Sequence, residues 1–117
     1  MSKLRGRAVL LVEDHPLILF EIADALSKVG AKATTASTLK QALTAVEHEN
    51  LAAAILDHAL LDGDSSILCE KLGQRKIPFV VYSGLGRVKG PYANSILVQK
   101  QASTETLIAT VETLLPA

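Results

Sequence analysis

The sequence predicts an α/β protein built on a parallel sheet, and two observations carry that prediction. Short apolar runs of strand length alternate along the chain with segments of helical spacing. Parallel neighbours need such crossover segments, because the chain must return to the starting end of the sheet between strands. Several runs are apolar at nearly every position, which is typical of strands buried on both faces. A length of 117 residues suits one domain, so residues 1–117 are assigned to a single domain without an output domain.

Five segments are predicted to be strands, and the second is the weakest candidate. They are residues 8–12, 31–36, 51–56, 77–82 and 95–99. Each is followed by a polar or small residue, which ends the apolar run. The polar residues that follow these runs therefore collect at the carboxyl ends of the strands, where open α/β sheets place their sites.

Segments with apolar residues at helical spacing lie between most of these strands. The first predicted helix places one set of apolar residues on a single face and ends at Gly30; the set is Ile18, Ile22, Ala25, Leu26 and Val29. Thr38 and Gln41 form a predicted capping box for the second helix. The third helix carries Ile67, Leu68 and Leu72 and is predicted to end before Gly73. The last begins at Ser103, and its inner face is Leu107, Ile108, Val111, Leu114 and Leu115.

The segment 84–94 is a poor helix former. It contains Gly84, Gly86, Gly90 and Pro91, and each glycine costs about 1 kcal/mol relative to alanine in a helix, whereas proline costs about 3 kcal/mol. We therefore expect a loop, or at most a short fourth helix, between the fourth and fifth strands.

Composition excludes several classes of function. The formal net charge is zero, which argues against nucleic-acid binding through bulk charge, and aromatic residues make up only 3%. The single cysteine, Cys69, cannot form an intrachain disulfide and is expected to be a small buried residue. No apolar run approaches the roughly 20 residues of a membrane span. The expectation is a cytoplasmic protein, monomeric or weakly dimeric, that contacts neither nucleic acid nor membrane.

Residues whose side chains could bind a metal or take part in a reaction follow four of the five predicted strands. Glu13 and Asp14 follow the first, Asp57 the third, Ser83 the fourth and Lys100 the fifth. If these strands are neighbours, three carboxylates meet at one edge, where like charges about 4 Å apart repel by roughly 4 kcal/mol at an effective dielectric of 20. Such a site needs a cation or a protonated carboxyl group. Oxygen ligands without neighbouring thiolates suit Mg²⁺, and with Ser83 and Lys100 they predict an acceptor for phosphoryl transfer.

Simpler interpretations stand beside this one. Asp14 could cap the following helix, and a single Asp, Ser or Lys at a strand end is often structural or solvated. His15 and His58 flank the acidic residues, so a transition-metal site is an alternative. His48 is expected to be a solvated residue at the end of a helix.

The whole chain resembles the receiver domains of two-component response regulators. The resemblance rests on five features: the first strand with its acidic pair at residues 9–15, the segment 54–57, the loop 60–63, the segment 80–84 and Lys100. The resemblance implies a flavodoxin-like strand order 2-1-3-4-5. It also implies that Asp57 is phosphorylated, and that Mg²⁺ is held by Glu13 (partly through water), Asp14, Asp57 and the backbone carbonyl of Ala59. Ser83 and Lys100 would bind the phosphoryl oxygens.

Residues 78–86 and 57–66 further resemble the FATGUY receivers, which are mostly stand-alone alphaproteobacterial proteins with a loop-like fourth helix. Four positions depart from the patterns. Gln101 follows the lysine where the family usually has proline, and Leu97 stands where many receivers have an aromatic switch residue. Leu85 replaces the usual tyrosine of the subtype, and His58 stands where an aliphatic residue is common.

The resemblance implies a signalling switch, not an enzyme with a separate substrate, that is phosphorylated by a histidine kinase or a histidine phosphotransfer protein and read by a downstream partner. Two alternatives remain. One is a pseudo-receiver that binds partners without phosphorylation, and the other is a small Mg²⁺-dependent phosphohydrolase of the haloacid-dehalogenase type. Leu17, Leu19 and Phe20 lie outside the core stripe of the first helix, where they either pack locally or dock the phosphodonor.

Overall fold

The computed structural model describes residues 2–57, 66–83, 96–99 and 103–115. The elements within these ranges are, in chain order, β1 (Ala8–Val12), α1 (Pro16–Lys28), β2 (Lys32–Ala36), α2 (Leu39–His48), β3 (Ala53–Asp57), α3 (Ser66–Gln74), β4 (Phe79–Ser83), β5 (Ile96–Gln99) and α4 (Thr104–Thr113). The alternation of strands and helices agrees with the sequence prediction, although β3 and β4 begin two residues later than expected and include Asp57 and Ser83 as their last residues.

The strands form one parallel sheet in the order β2-β1-β3-β4-β5. The register places Val12 opposite Leu56 and Asp57 opposite Tyr82. Ser83 lies opposite Gln99 at the end of the β4 and β5 pair. All strands point the same way, so their carboxyl ends share one edge of the sheet. The predicted loop or short helix at 84–94 lies outside the described residues.

Alternation along the strands divides the core into two layers. One layer lies between the sheet and helices α1 and α4, and its strand residues include Val9, Leu11, Ile55, Val80 and Tyr82. The other lies between the sheet and helices α2 and α3 and includes Leu10, Val12, Leu56, Val81 and Cys69. Cys69 is buried, as predicted. Both faces of the sheet are therefore covered, which explains why β1 and the first four residues of β3 are apolar at every position.

The predicted caps are present at two helix starts, with one difference. Thr38 Oγ1 accepts a hydrogen bond from the backbone N–H of Gln41 at 3.1 Å. The Gln41 side-chain Oε1 accepts a hydrogen bond from the backbone N–H of Ser37 at 2.8 Å. In a capping box the donor would be the N–H of the next residue, Thr38. Ser103 Oγ accepts from the N–H of Thr106 at 3.1 Å and begins α4.

The predicted end of α3 at Gly73 is wrong. The helix continues through Gly73 to Gln74, and its terminal hydrogen bonds run from Lys76 N–H to Gly73 O and from Ile77 N–H to Leu72 O. Lys76 occupies the left-handed region with φ of 57°. The residue that closes this helix is therefore a lysine, in a conformation that glycine adopts more easily.

The three apolar residues of α1 that lie outside the predicted core stripe differ in exposure. Leu17 and Phe20 are exposed, at 60% and 66%, but Leu19 is half-buried and packs against the core layer beneath α1 and α4. Leu19 therefore belongs to the packing of the domain. Within the described ranges, none of the helices has the length and apolarity to cross a membrane.

Candidate functional site

Two of the predicted site residues, Glu13 and Asp57, project from one face of the sheet at its carboxyl edge. Glu13 continues the alternation of Val9 and Leu11 just past β1, and its N–H still bonds to Ala36 O at 3.0 Å. Asp57 continues the alternation of Ala53 and Ile55 in β3. Both therefore point to the side of the sheet covered by α1 and α4.

The predicted carboxylate cluster is present. Glu13, Asp14 and Asp57 each offer a carboxylate oxygen, and these three oxygens lie within 4.8 Å of one another. Glu13 is fully buried, Asp57 is 2% exposed, and Asp14 is half-buried at the outer side of the group. Two of the three charges have therefore lost most of their contact with water, which normally disfavours ionised carboxylates.

The Glu13 carboxylate also organises the connection to α1. Its Oε2 accepts hydrogen bonds from the backbone N–H groups of Asp14 at 2.8 Å and His15 at 3.1 Å. The N-cap position of α1 is His15, whose side chain makes no capping hydrogen bond. The alternative in which Asp14 is the helix cap is therefore wrong, and the half-buried Asp14 carboxylate belongs to the cluster.

Burial and the neighbouring carboxylates change the pKa of Glu13. Burial, followed by a hydrogen bond with Asp57, raises the pKa of Glu13 from an ordinary 4.5 to about 8. The backbone hydrogen bond from His15 opposes this increase, and the negative charge of Asp57 adds to it. Without a cation, Glu13 therefore retains a proton at neutral pH and can donate a hydrogen bond to Asp57.

The donor set fits a hard divalent cation. All three groups supply carboxylate oxygens, and a cation among them would replace the proton that otherwise relieves the repulsion. His15 is exposed and does not join the cluster, and His58 lies outside the described residues. The described residues thus offer the oxygen ligands that suit Mg²⁺ rather than the imidazole ligands of a transition-metal site. His48 is exposed at the end of α2, as expected.

The remaining predicted residues are placed in part. Ser83 is the last residue of β4, one position beyond the partner of Asp57. Its backbone therefore lies on the strand beside the cluster. Lys100 and Ala59 lie outside the described residues, as do Gln101, Leu85 and His58.

Sequence reasoning assigned no role to Tyr82, which lies close to the cluster. Tyr82 is the β4 partner of Asp57 and is only 6% exposed. Burial, and then the negative charges of Glu13, Asp57 and Glu21, raise the pKa of its hydroxyl above the ordinary value, so it stays protonated. Strand alternation from Val80 would have placed Tyr82 on the same face as Glu13 and Asp57.

The chain is similar in fold to solved structures of response-regulator receiver domains. The receiver domain of a Francisella response regulator matches with a TM-score of 0.80 and 24% identity, covering 92% of this chain and 95% of that one. A response regulator receiver protein from Sinorhizobium medicae matches at 0.81 and 20% identity, covering 92% and 93%. TrrA from Thermotoga maritima, solved with Mg²⁺ and BeF, matches at 0.83 and 21% identity, covering 93% and 99%.

These likenesses establish the fold, a flavodoxin-like parallel α/β domain of the receiver type. No protein-family model matches the sequence, and the search of curated proteins gave no match.

Proposed function

We propose that this protein is a phosphoacceptor switch that receives a phosphoryl group on Asp57 in a Mg²⁺-dependent reaction. The observation that carries the proposal is the buried Asp57 carboxylate at the edge of a receiver-type sheet, with oxygens of Glu13 and Asp14 within 4.8 Å. Such a group of buried carboxylates destabilises a fold unless a proton or a cation joins it, and a cation at this place fits phosphoryl-transfer chemistry.

Asp57 is the nucleophile of the proposed reaction. One of its carboxylate oxygens forms a bond to phosphorus as the phosphorus–nitrogen bond of a phosphohistidine breaks, and the electron pair leaves with the imidazole. Glu13, Asp14, Asp57 and the backbone carbonyl of Ala59 are the proposed ligands of Mg²⁺. When bound, the ion neutralises the charge that develops on the transferring oxygens.

Ser83 and Lys100 are the proposed partners of the phosphoryl group. A serine hydroxyl can donate a charge-assisted hydrogen bond to a phosphoryl oxygen, and a lysine supplies a positive charge. Ser83 directly precedes the segment 84–94, and Lys100 follows that segment after β5. Their movement toward the phosphoryl group would therefore change the surface that a downstream partner reads.

The test is labelling with acetyl phosphate, followed by intact-protein mass spectrometry with and without Mg²⁺. The protein should gain one phosphoryl group only when Mg²⁺ is present. The Asp57→Asn variant should gain none, because the amide keeps the shape but is not a nucleophile. The matched control is Asp24→Asn, at an exposed carboxylate on α1, which should label normally. Labelling of Asp57→Asn, or labelling that ignores Mg²⁺, would contradict the proposal.

The proposed donors are a histidine kinase or a histidine phosphotransfer protein, docked on the exposed side of α1. Leu17 lies one turn past the acidic pair and is 60% exposed, and an apolar side chain beside a reactive site is typical of an interface. Leu17→Glu should slow transfer from the protein donor at least about tenfold and leave acetyl phosphate labelling unchanged. If transfer from the protein donor and labelling by acetyl phosphate slow equally, the substitution affects the reactivity of Asp57 rather than docking of the donor.

Two finer assignments belong to the same proposal. The segment 78–86 favours the FATGUY subtype of stand-alone receivers, and cytoplasmic location follows from a kinase-linked role. Both rest on Asp57 being the acceptor.

A further inference from the structure

A groove of about 580 Å³ runs between α1 and α4, on the side of the domain rather than at the carboxylate cluster. Its apolar surface is formed by Ala25, Val29 and Ile108. Phe20 lies at its rim with 66% of its surface exposed, the highest value among the exposed large apolar residues of the described chain. Both helices follow strands of the same parallel sheet and pack on the same core layer, so the groove lies between two neighbouring helices of the same direction.

Four carboxylates line this groove, and one cation faces them among the described residues. Glu21 and Asp24 come from α1, Glu105 and Glu112 come from α4, and the cation is Lys28. This excess of negative charge is local, because the whole chain has a formal net charge of zero.

Two of the four carboxylates already have partners. Asp24 pairs with Lys28 at 3.0 Å, and Glu112 accepts a hydrogen bond from Ser2 Oγ at 2.9 Å. Glu21 and Glu105 are exposed and form no hydrogen bond or ion pair with another described residue. They stand on opposite walls of the groove, so a ligand lying between them would meet one acidic side chain on each side.

We propose that the α1/α4 groove binds an amphipathic basic helix of a partner protein. Its apolar stripe would pack on Ala25, Val29 and Ile108 beneath Phe20, and Lys or Arg residues on its two flanks would face Glu21 and Glu105. Helices of 13 and 10 residues extend for about 20 and 15 Å, so they can border about three turns of a third helix. Helix-in-groove recognition works in this way, with apolar anchors that supply affinity and charges that select the partner.

The proposal does not depend on phosphorylation, and its test uses the unmodified protein. The probe is a synthetic 16-residue peptide of about four helical turns, with leucines at helical spacing and lysines on both flanks. Its binding is followed by NMR of ¹⁵N-labelled protein. Amide shifts should concentrate at Phe20, Glu21, Ala25 and Ile108. A peptide of the same composition with a central proline, which cannot form the helix, should bind at least about tenfold more weakly.

Charge-reversed variants locate the site. Glu21→Lys with Glu105→Lys should weaken binding at least about tenfold. The matched control is Glu49→Lys with Glu70→Lys, which makes the same charge change at exposed positions beside α2 and on α3, across the sheet. It should change binding less than about twofold. If the first double variant unfolds, Phe20→Ala with Glu105→Gln replaces it, with the same expected direction.

Three outcomes would overturn the proposal. The first is equal loss of binding in the control variant, and the second is equal binding of the proline peptide. The third is self-association of the free protein, by sedimentation, that Glu105→Lys abolishes, because a second copy would then occupy the groove.

Discussion

At the amino edge of the sheet, backbone hydrogen bonds close the turns that lead into the strands. The N–H of Gly6 bonds to Gly30 O at 2.8 Å, the N–H of Ala31 bonds to Leu26 O at 3.0 Å, and the N–H of Ile77 bonds to Leu72 O at 2.9 Å. Leu4 is fully buried in the core layer beneath α1 and α4. Main-chain hydrogen bonds within the fold thus close this edge of the sheet.

The carboxyl edge of the same sheet is organised differently. Glu13, Asp14 and Asp57 place three carboxylate oxygens within 4.8 Å, and burial raises the pKa of Glu13 to about 8. The same strands and the same helices support both edges. The difference shows that packing and main-chain bonds stabilise one edge, whereas the other holds a group of charges that requires a proton or a cation.

The largest expected effect is the pH dependence of stability at the carboxyl edge. The pKa of Glu13 is higher in the folded protein than in the unfolded chain, so its proton stabilises the fold. This stabilisation is complete below a pH of about 4.5 and is lost as the pH rises through about 8. In EDTA, the free energy of unfolding should therefore fall across this range, by at most about 1.4 kcal/mol per pH unit from this one group.

Urea unfolding at several pH values measures this effect, and Mg²⁺ should reverse it. Mg²⁺ should stabilise the protein more at pH values near 8 than at lower pH, because at lower pH it must displace the proton. Glu13→Gln has no titrating group at this position and should show a flatter profile in EDTA. The same pH slope in Glu13→Gln as in the unmodified protein would show that other groups control it.

The next effect separates the two members of the acidic pair. Asp14→Ala should weaken Mg²⁺ binding at least about tenfold, or about 1.4 kcal/mol, and more than Glu13→Ala does. Asp14 is half-buried at the outer side of the cluster, whereas Glu13 Oε2 already accepts two backbone hydrogen bonds. Titration with Mg²⁺, followed by NMR shifts near Asp57, gives both affinities.

Glu13→Ala should in turn lower stability more than Asp14→Ala, because it removes the acceptor for the N–H groups of Asp14 and His15. Equal Mg²⁺ affinities in the two variants, or a larger loss in Glu13→Ala, would contradict this division of roles.

Much of the fold could be predicted from the sequence because apolar pattern determines strand burial. The fully apolar runs predicted a sheet covered on both faces, and the polar residues at the strand ends predicted the carboxylate cluster. The position of Tyr82 beside the cluster was missed because this residue stands within an apolar run, and only strand alternation shows which face of the sheet it occupies. For Leu19 the sequence left local packing and docking open, because helical spacing defines only the central stripe of the helix; the structure shows local packing. The roles of Ala59, Ser83 and Lys100 remain predictions.

The prediction that failed at Gly73 leads to the smallest expected effect, at the amino edge. Helices α1 and α3 end with the same pair of backbone hydrogen bonds, but α1 uses Gly30 at φ of 85° and α3 uses Lys76 at φ of 57°. A residue with a Cβ is strained in this region by about 1–2 kcal/mol, and glycine is not. Glycine also increases the conformational entropy of the unfolded chain, which cancels part of the stabilisation that the relief of strain provides.

Lys76→Gly should therefore stabilise the protein by about 0.5–1 kcal/mol in urea unfolding. Lys76→Ala removes the same charge but retains the Cβ, so it should give no comparable gain. Gly30→Ala is the reverse experiment and should destabilise the protein, since the added Cβ would also lie 3.0 Å from Arg5 Cγ. If Lys76→Ala stabilises the protein as much as Lys76→Gly, the effect comes from the lost charge rather than from the backbone. The comparison between the two helix ends would then not hold.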